Sequence, residues 1–150
     1  MTTESASTIH ASAVLVGAKA VLIRGPAGSG KSQLVWHIIA SRGVVPFARL
    51  VADDRAYVAN TAGRLLVRPA PALAGMVEIR GLGIRRVEFE SVAVVGLVID
   101  LAAGDADRYP NADAMKAHIA GVILPRLAVA AGQAPLPLLL ASLQNLAAGD

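Results

Sequence analysis

Residues 25–32 contain the pattern G-x-x-x-x-G-K-[ST], a spacing typical of a loop that binds nucleotide phosphates. The glycines allow tight turns and close approach, so several backbone N–H groups can face one anion. Lys31 can reach the β- and γ-phosphates, and the Ser32 hydroxyl suits a phosphate-bound Mg²⁺. The sequence therefore predicts a site for ATP and Mg²⁺. Its residues are Gly25, Pro26, Ala27, Gly28, Ser29, Gly30, Lys31 and Ser32.

Such a site also needs a carboxylate near Ser32 to organise the metal ion, and two strand ends could supply it. Residues 94–100 are apolar and end in Asp100, which is the form of an ordinary Walker B strand. Residues 49–54 end in the pair Asp53 and Asp54. Adjacent strand residues point to opposite sides, so one carboxylate can hold metal-bound water while the other takes a proton from a hydroxyl. A solvated acidic turn is the alternative interpretation.

The elements around the loop have the order strand, loop, helix, which is the expected context for a phosphate-binding loop. Residues 19–24 are a short apolar run, and residues 31–42 carry a helical apolar stripe. A turn at residues 17–18 predicts a hairpin with residues 10–16. Further strands are predicted at 49–52, 57–60, 64–68, 77–80, 84–87, 92–101 and 122–129, and helical segments at 71–74, 112–117 and 135–148.

The expected fold class is α/β, with a mixed β-sheet, hairpins and flanking helices in one P-loop domain over residues 1–150. Residues 92–101 are the most apolar strand, so we expect them at the centre of the sheet. Pro125 interrupts residues 122–129, which predicts an edge strand or an irregular segment there. Residues 1–8 are expected to form a disordered tail.

The composition excludes several classes of function. Net charge is +3, and the arginines are scattered rather than grouped with aromatic residues, which argues against a nucleic-acid partner. No apolar run approaches the ~18 residues of a membrane span, and the first residues lack the pattern of a signal peptide. The chain has no cysteine, which excludes disulfides and thiolate metal sites and is compatible with the cytoplasm.

Four stretches together resemble the bacterial HPr serine kinase/phosphorylase family, in particular a short form without its N-terminal domain. The resemblance covers about residues 9–101, and the last stretch is the most specific. The stretches are Ile9-His10, the loop at 25–32, Leu50-Val51-Ala52-Asp53-Asp54 and Val77-Glu78-Ile79-Arg80-Gly81-Leu82-Gly83-Ile84. The resemblance implies the fold of the HPr kinase catalytic domain.

The resemblance also implies roles for the matching residues in proton and phosphate transfer. Asp54 would accept the proton of the target serine, and return it in the reverse reaction. His10 would lie beside Asp54 and assist it. Lys31 would bind the transferred phosphates. Mg²⁺ would be held by Ser32 and Glu78, and Asp53 would support the metal ion or its water.

Two arginines are further catalytic candidates. Arg80 belongs to the signature loop, which the resemblance places near the protein substrate. Arg126 is the nearest counterpart of the family's C-terminal catalytic-loop arginine. The chain departs from longer members by lacking their N-terminal domain, by a longer connector containing Pro46, and by having no clear substrate-docking helices. These departures bear on the phosphorylase activity and on assembly more than on kinase activity.

The resemblance thus implies a cytoplasmic, homo-oligomeric protein serine kinase that uses ATP and Mg²⁺ to phosphorylate an HPr-like phosphocarrier protein. Inorganic phosphate would drive the reverse, phosphorylase reaction. Two other hypotheses stay open. One is a small-molecule P-loop kinase or ATPase with Asp100 as the metal ligand. The other is a nucleotide-sensing module that binds a signalling partner without turnover. The sequence identifies neither the protein substrate nor any allosteric effector.

Overall fold

The computed structural model describes residues 7–41 and 47–144. These ranges form an α/β fold, as predicted. No helix within them is long and apolar enough to cross a membrane. The strands are β1 Ser7–Ile9, β2 Ala11–Val16, β3 Lys19–Arg24, β4 Ala48–Ala52, β5 Ala56–Thr61, β6 Arg64–Pro69, β7 Met76–Ile79, β8 Gly83–Arg86, β9 Ala93–Asp100, β10 Lys116–Ile119 and β11 Val122–Ala128. The helices are α1 Lys31–Ala40 and α2 Pro135–Gln144, with 3₁₀ turns at Pro71–Leu73 and Asp113–Met115.

Strand β9 lies at the centre of the main sheet, as its apolar sequence predicts. The order of the main path is β1-β5-β6-β9-β3-β2-β4, and β11 also pairs with β9 while β10 pairs with β11. β9 runs parallel to β3 along one side. On its other side it pairs first with antiparallel β6 and then with parallel β11. Because β3 and β9 are parallel, Arg24 lies opposite Asp100 at the same edge of the sheet.

The hairpin predicted between residues 10–16 and 19–24 is present, and the predicted strands 57–60 with 64–68 and 77–80 with 84–87 form two more. β2 pairs with β3, β5 with β6, and β7 with β8, all antiparallel. The β5–β6 turn places Ala62 and Gly63 both at positive φ, which matches the right-handed twist of the flanking strands. β7 and β8 form a separate two-stranded sheet, and Val77 of β7 is buried in the same core cluster as residues of α1.

Apolar side chains form two clusters, and their membership shows that the sheet curls. The first cluster holds residues of both helices against one face of the sheet, and the second holds strand residues only. Since β5, β6, β10 and β11 share the second cluster with β2 and β4, the sheet wraps around it. Helix-side members include Val14, Val21, Ile23, Leu34, Val35, Ile38, Leu97, Ile99 and Leu139. Strand-only members include Ala11, Ala13, Leu22, Val51, Val58, Leu65, Val67, Val98, Ala117 and Leu124.

The outer side of β4 is partly covered by the segment that follows β8. Leu50 forms an isolated parallel bridge with Phe89, and its carbonyl accepts a hydrogen bond from the Glu90 N–H at 2.8 Å. Arg49 ties the same segment by ion pairs to Glu88 and Glu90. The backbone of β4 is therefore paired on both sides at its midpoint.

The predicted helix at residues 112–117 is wrong in its second half. Only Asp113–Met115 form a 3₁₀ turn, and the chain then enters β10. Ala117 and Ile119 are buried while Lys116 and His118 are exposed, which is the two-residue period of a strand. Pairing with β11 therefore outweighs the helical preference of this alanine-rich stretch.

The segment predicted at 122–129 forms β11, Val122–Ala128, and the first half of this strand is edge-like. Pro125 lies opposite Lys116 of β10, and pairing of β11 with β9 begins only at Arg126. The missing N–H of proline thus falls where β11 has one neighbour, which a sheet tolerates. The prediction of an edge strand is confirmed for this half and wrong for the half that joins β9.

The bounds of two elements, β1 and α1, also differ from those predicted. Ser7 and Thr8 were expected in a tail but belong to β1, which pairs with β5. Helix α1 ends at Ala40, two residues before the predicted end. The Pro46 connector and the predicted helical residues beyond Gln144 lie outside the described residues, as do residues 1–6.

Helix α2 gives a direct test of packing on the helix-covered face. Leu139 is fully buried there, whereas Leu143 on the same helix is 46% exposed. We expect Leu139→Ala to lower the free energy of unfolding by about 2–5 kcal/mol, because it leaves a cavity. Leu143→Ala should lower it by about 0.5 kcal/mol or less. Urea denaturation of the two variants measures the difference, and equal effects would contradict the packing described.

Candidate functional site

Residues 25–32, called the cradle loop below, join β3 to α1. A Cβ added to Gly25 would lie 2.5 Å from Ser29 Oγ and 3.1 Å from Leu101 Cβ, so only glycine fits this position. Gly30 precedes the helix with a φ of 101°, a conformation that favours glycine. The first turn of α1 has neither a side-chain cap nor an acidic residue. Its N–H groups and positive dipole end are thus suited to an anion, and the predicted order of strand, loop and helix is confirmed.

Lys31 lies inside the cradle loop. Its side chain is only 5% exposed, and its Nζ donates hydrogen bonds to the carbonyl oxygens of Gly25 at 2.9 Å and Pro26 at 3.2 Å. The same Nζ lies 3.9 Å from Asp54 Oδ1. The loop carbonyls therefore hold the ammonium group between the loop and the acidic pair at the end of β4.

The carboxylate of Asp53 joins three other elements. It is only 9% exposed, and both its oxygens lie close to Ser32 Oγ, at 2.7 and 2.9 Å. Ser12 Oγ of β2 donates to Oδ1 at 2.9 Å, and the Glu78 N–H of β7 donates to Oδ2 at 3.1 Å. Burial of a charge requires such partners, and Asp53 has donors from β2, α1 and β7.

Asp54 faces a different set of partners, as expected for adjacent acids. Its φ is +66°, and its N–H donates to Ser12 Oγ at 2.9 Å. The left-handed conformation turns its carboxylate toward His10, whose Nε2 lies 2.9 Å from Oδ1. Both side chains are more than half exposed, so this carboxylate is open to a molecule from solution.

The structure brings together most of the predicted site residues. His10, Lys31, Ser32, Asp53 and Asp54 are linked by direct contacts. Glu78, the remaining predicted metal ligand, contacts this group through its backbone. Its N–H bonds to Asp53, while the Glu78 side chain is exposed. Arg80 follows directly after β7, at the exposed end of the same hairpin.

Two other candidates, Asp100 and Arg126, belong to an ion-pair group that also contains Arg24 and Asp105. We call these four residues the sheet-end cluster. Arg24 binds both oxygens of Asp100, at 2.7 and 2.8 Å. Arg126 Nε donates to Asp100 Oδ2 at 2.5 Å, and its two terminal nitrogens bind Asp105 at 2.8 and 2.9 Å.

The cluster corrects two predictions. Asp100 is not placed as a metal ligand, because two guanidinium groups already occupy its carboxylate. Arg126 is not free to act as a catalytic arginine, because all its nitrogens are engaged and its side chain is 12% exposed. By strand alternation both residues share the face of Val98 and Leu124, whereas α1 covers the opposite face.

The charges of the cluster reinforce one another. Burial by itself raises the pKa of Asp100, but hydrogen bonds from Arg24 and Arg126 outweigh it and lower the pKa below its ordinary value of 3.8. The hydrogen bond from Arg126 likewise lowers the pKa of Asp105. In return, Asp105 and then Asp100 raise the pKa of Arg126 against the opposing effect of burial.

Three residues of these contacts, Ser12, Arg24 and Asp105, were not predicted from the sequence. Ser12 is fully buried and contacts both acids of the pair, so it orients them. A signal was present, because Ser12 is the one polar residue of the apolar strand Ala11–Val16. The partners of Asp100 had no such signal, since Asp105 and Arg126 come together only through the pairing of β9 with β11.

The donor set at Asp53 fits a magnesium ion. A hydroxyl and a carboxylate already lie together at Ser32 and Asp53, and oxygen atoms are the ligands that Mg²⁺ prefers. No group of three or more His, Cys, Asp or Glu side chains in residues 7–41 and 47–144 could hold a metal by itself. Mg²⁺ in nucleotide sites typically takes one or two carboxylates and completes its shell with phosphates and water, so this donor set is sufficient.

The backbone at Asp54 gives a stability test that is independent of catalysis. Asp54→Gly and Asp54→Ala both remove the contact with His10, but only alanine keeps a Cβ at positive φ. We expect the alanine variant to be less stable than the glycine variant by about 1 kcal/mol in urea denaturation. The same two replacements at Arg55, which has no positive φ, should give the opposite order. A glycine variant less stable than the alanine variant at position 54 would contradict the assigned conformation.

The sheet-end cluster predicts a dependence of stability on pH. Because folding lowers the pKa of Asp100, its stabilisation is complete above 3.8 and is lost as pH falls through the lowered value. We therefore expect the stability difference between the wild-type chain and Asp100→Asn to be largest near neutral pH and to shrink at acid pH. Denaturation at a series of pH values measures this difference. A constant difference would refute the assigned pairing.

Comparisons with known proteins agree with this arrangement. The family model described as HPr Serine kinase C-terminal domain matches residues 2–131. HPr kinase/phosphorylase from Enterococcus faecalis is 36% identical over 135 residues, which cover 82% of this chain and 42% of that protein. The enzyme of the same name from an Exiguobacterium species is 36% identical over 110 residues, 68% of this chain and 34% of that protein. The chain thus spans well under half the length of these curated relatives.

A solved structure shows the same fold. The HPr(Ser) kinase/phosphatase from Coxiella burnetii superposes with a TM-score of 0.69 at 28% identity, covering 91% of this chain and 93% of that one. The match therefore includes the curled sheet and its flanking helices. Since the family model matches 130 consecutive positions, from residue 2 to residue 131, this chain belongs to the HPr serine kinase C-terminal domain family.

Proposed function

We propose that this chain is the catalytic domain of a protein serine kinase that transfers the γ-phosphoryl group of ATP to an HPr-like phosphocarrier protein. The observation that carries the proposal is the position of Asp54. Its exposed carboxylate lies 2.9 Å from His10 and 3.9 Å from Lys31, beside the cradle loop. A proton acceptor thus stands next to the lysine that the motif assigns to the transferred phosphate. The relatives named HPr kinase/phosphorylase support the choice of substrate.

The proposed nucleotide site uses the backbone of the cradle loop, Lys31 and Ser32. The loop N–H groups and the start of α1 would bind the phosphates, and Lys31 would exchange its loop carbonyls for phosphate oxygens. Ser32 and Asp53 would hold Mg²⁺ together with Glu78. When bound, the ion neutralises charge on the phosphates, which phosphoryl transfer requires more than it requires covalent help.

In the proposed forward reaction, the oxygen of the substrate serine bonds to the γ-phosphorus while the bond from that phosphorus to the ADP oxygen breaks. The serine proton passes to the Asp54 carboxylate. A weak base is sufficient, because the hydroxyl loses its proton late in the reaction. His10 lies at hydrogen-bonding distance from the same carboxylate and keeps it directed toward the open side of the site.

The proposed reverse reaction uses the same groups in the opposite direction. Inorganic phosphate attacks the phosphorus of phosphoserine, the bond to the serine oxygen breaks, and pyrophosphate forms. The protonated Asp54 returns its proton to the serine oxygen. Because Arg126 is bound within the sheet-end cluster, no step of either direction is assigned to it.

The alternative of a small-molecule kinase or ATPase requires Asp100 as the metal ligand. That carboxylate is occupied by Arg24 and Arg126, so the observation that distinguishes the hypotheses favours Asp54. We further propose the cytoplasm as the location, and a homo-oligomer as the assembly, on the basis of the family resemblance. Neither nucleic acid nor a membrane has a part in the proposed activity.

The experiment measures transfer of labelled γ-phosphate from ATP to a purified HPr-like phosphocarrier protein. It compares the wild-type chain with Asp54→Asn. Loss of the proton acceptor should lower kcat by about 10²–10⁴-fold. Nucleotide affinity, measured by titration calorimetry, should change little. Asp107→Asn is the matched control, because it makes the same chemical change at an exposed aspartate that caps only the backbone of Arg108.

Three results would contradict the proposal. The first is no label on serine although the wild-type chain binds nucleotide, which is the behaviour of a nucleotide-sensing module. The second is full transfer by Asp54→Asn. The third is hydrolysis of ATP without protein substrate at the same rate in both chains, which would favour the ATPase hypothesis.

A further inference from the structure

One member of the sheet-end cluster, Arg24, is joined directly to the start of the cradle loop along the chain. Arg24 is the last residue of β3 and directly precedes Gly25. Its guanidinium group binds both oxygens of Asp100, a bidentate geometry that fixes direction as well as distance. Its backbone carbonyl accepts a hydrogen bond from the Leu101 N–H at 2.8 Å. Residues 24 and 100–101 are therefore joined through both side chain and backbone.

The first residue of the cradle loop continues this contact. The space where Gly25 lacks a Cβ is bounded by Ser29 and by Leu101, whose Cβ and carbonyl oxygen would lie 3.1 and 3.2 Å from an added methyl group. A shift of β9 at Asp100 would thus be transmitted directly to the position where the loop leaves the sheet. Nearby, Lys31 bonds to the Gly25 carbonyl, so the same residue also sets the position of the lysine.

Arg126 connects the other side of the cluster to residues 101–115, which follow β9 and are called the β9 loop here. It binds Asp105 with both terminal nitrogens and donates to the Ala114 carbonyl at 2.8 Å. The backbone adds a bond from the Ala103 N–H to the Val129 carbonyl. Two arginines therefore meet at the Asp100 carboxylate. Arg24 directly precedes the cradle loop, and Arg126 holds the β9 loop through Asp105 and Ala114.

We propose that Asp100 is a positioning residue: through Arg24 it fixes where the cradle loop begins, and through Arg126 it fixes the β9 loop to the same point. It touches neither the nucleotide nor the metal ion. The proposal rests on the proposed nucleotide site for its functional consequence, but not for its structural one. It assigns Asp100 a task different from the metal ligation that its sequence position suggests.

The test separates the two arms of the cluster. Arg24→Met removes the side-chain contact between Asp100 and the end of β3, from which the cradle loop starts. Arg126→Met removes the contact with the β9 loop, and Asp100→Asn weakens both. Hydrogen–deuterium exchange of the unliganded chain should become about tenfold faster at residues 25–30 in Arg24→Met and at residues 101–115 in Arg126→Met. Asp100→Asn should accelerate exchange in both segments. Arg24→Lys, which keeps the charge but loses the bidentate geometry, should give an intermediate rate at residues 25–30.

Binding of Mg²⁺ with a non-hydrolysable ATP analogue gives the second readout. Arg24→Met should raise the Kd several-fold, whereas Arg126→Met should leave it within about twofold even where both variants lose similar thermal stability. Wild-type exchange at residues 25–30 in Arg24→Met would overturn the proposal. Equal acceleration there by Arg126→Met would also overturn it, because the effect would then be one of general stability. If the variants show the expected exchange pattern but the wild-type chain binds no analogue, the proposed function is refuted and the positioning role stays supported.

Discussion

The buried carboxylate of Asp53 is the interaction on which the candidate site depends. It accepts hydrogen bonds from Ser12 of β2, Ser32 of α1 and the Glu78 backbone of β7. These donors come from distant parts of the sequence, and a buried charge without them would be strongly destabilising. The requirement to satisfy one negative charge therefore draws a strand, a helix and a hairpin to the same place. The cradle loop, which ends at Ser32, is fixed by the same requirement.

Two neighbouring acids serve different purposes because the backbone separates them. Asp53 continues the direction of β4 into the protein, while the left-handed conformation of Asp54 turns the next side chain outward. Ser12 contacts both, through the Asp53 carboxylate and the Asp54 N–H, and so holds the angle between them. In the proposed mechanism, this separation lets the acid beside the metal ion and the acid that exchanges a proton with the substrate occupy adjacent positions.

Local patterns predicted the parts of the fold that depend on local chemistry. The cradle loop was visible because its glycines and Lys31 have a fixed spacing, and the strands of the three hairpins were visible on either side of their turn residues. The strand β10 was missed because its short alternating pattern lies in an alanine-rich stretch, and only pairing with β11 decides it. Asp100 was ambiguous for a similar reason. An acid at the end of an apolar strand can bind a metal or an arginine, and the two arginines that bind it here are 76 and 26 residues away.

The segment that covers β4 has a consequence for contacts between molecules. Exposed strand edges are the usual sites at which sheets of separate molecules join and aggregate. At the midpoint of β4 the Leu50 backbone is already paired with Phe89 and Glu90, and Arg49 fastens this segment by its ion pairs. An incoming strand would have to displace these contacts before it could extend the sheet. Copies of the chain that meet at this edge are therefore directed to associate through side chains, and not by growth of a continuous intermolecular sheet.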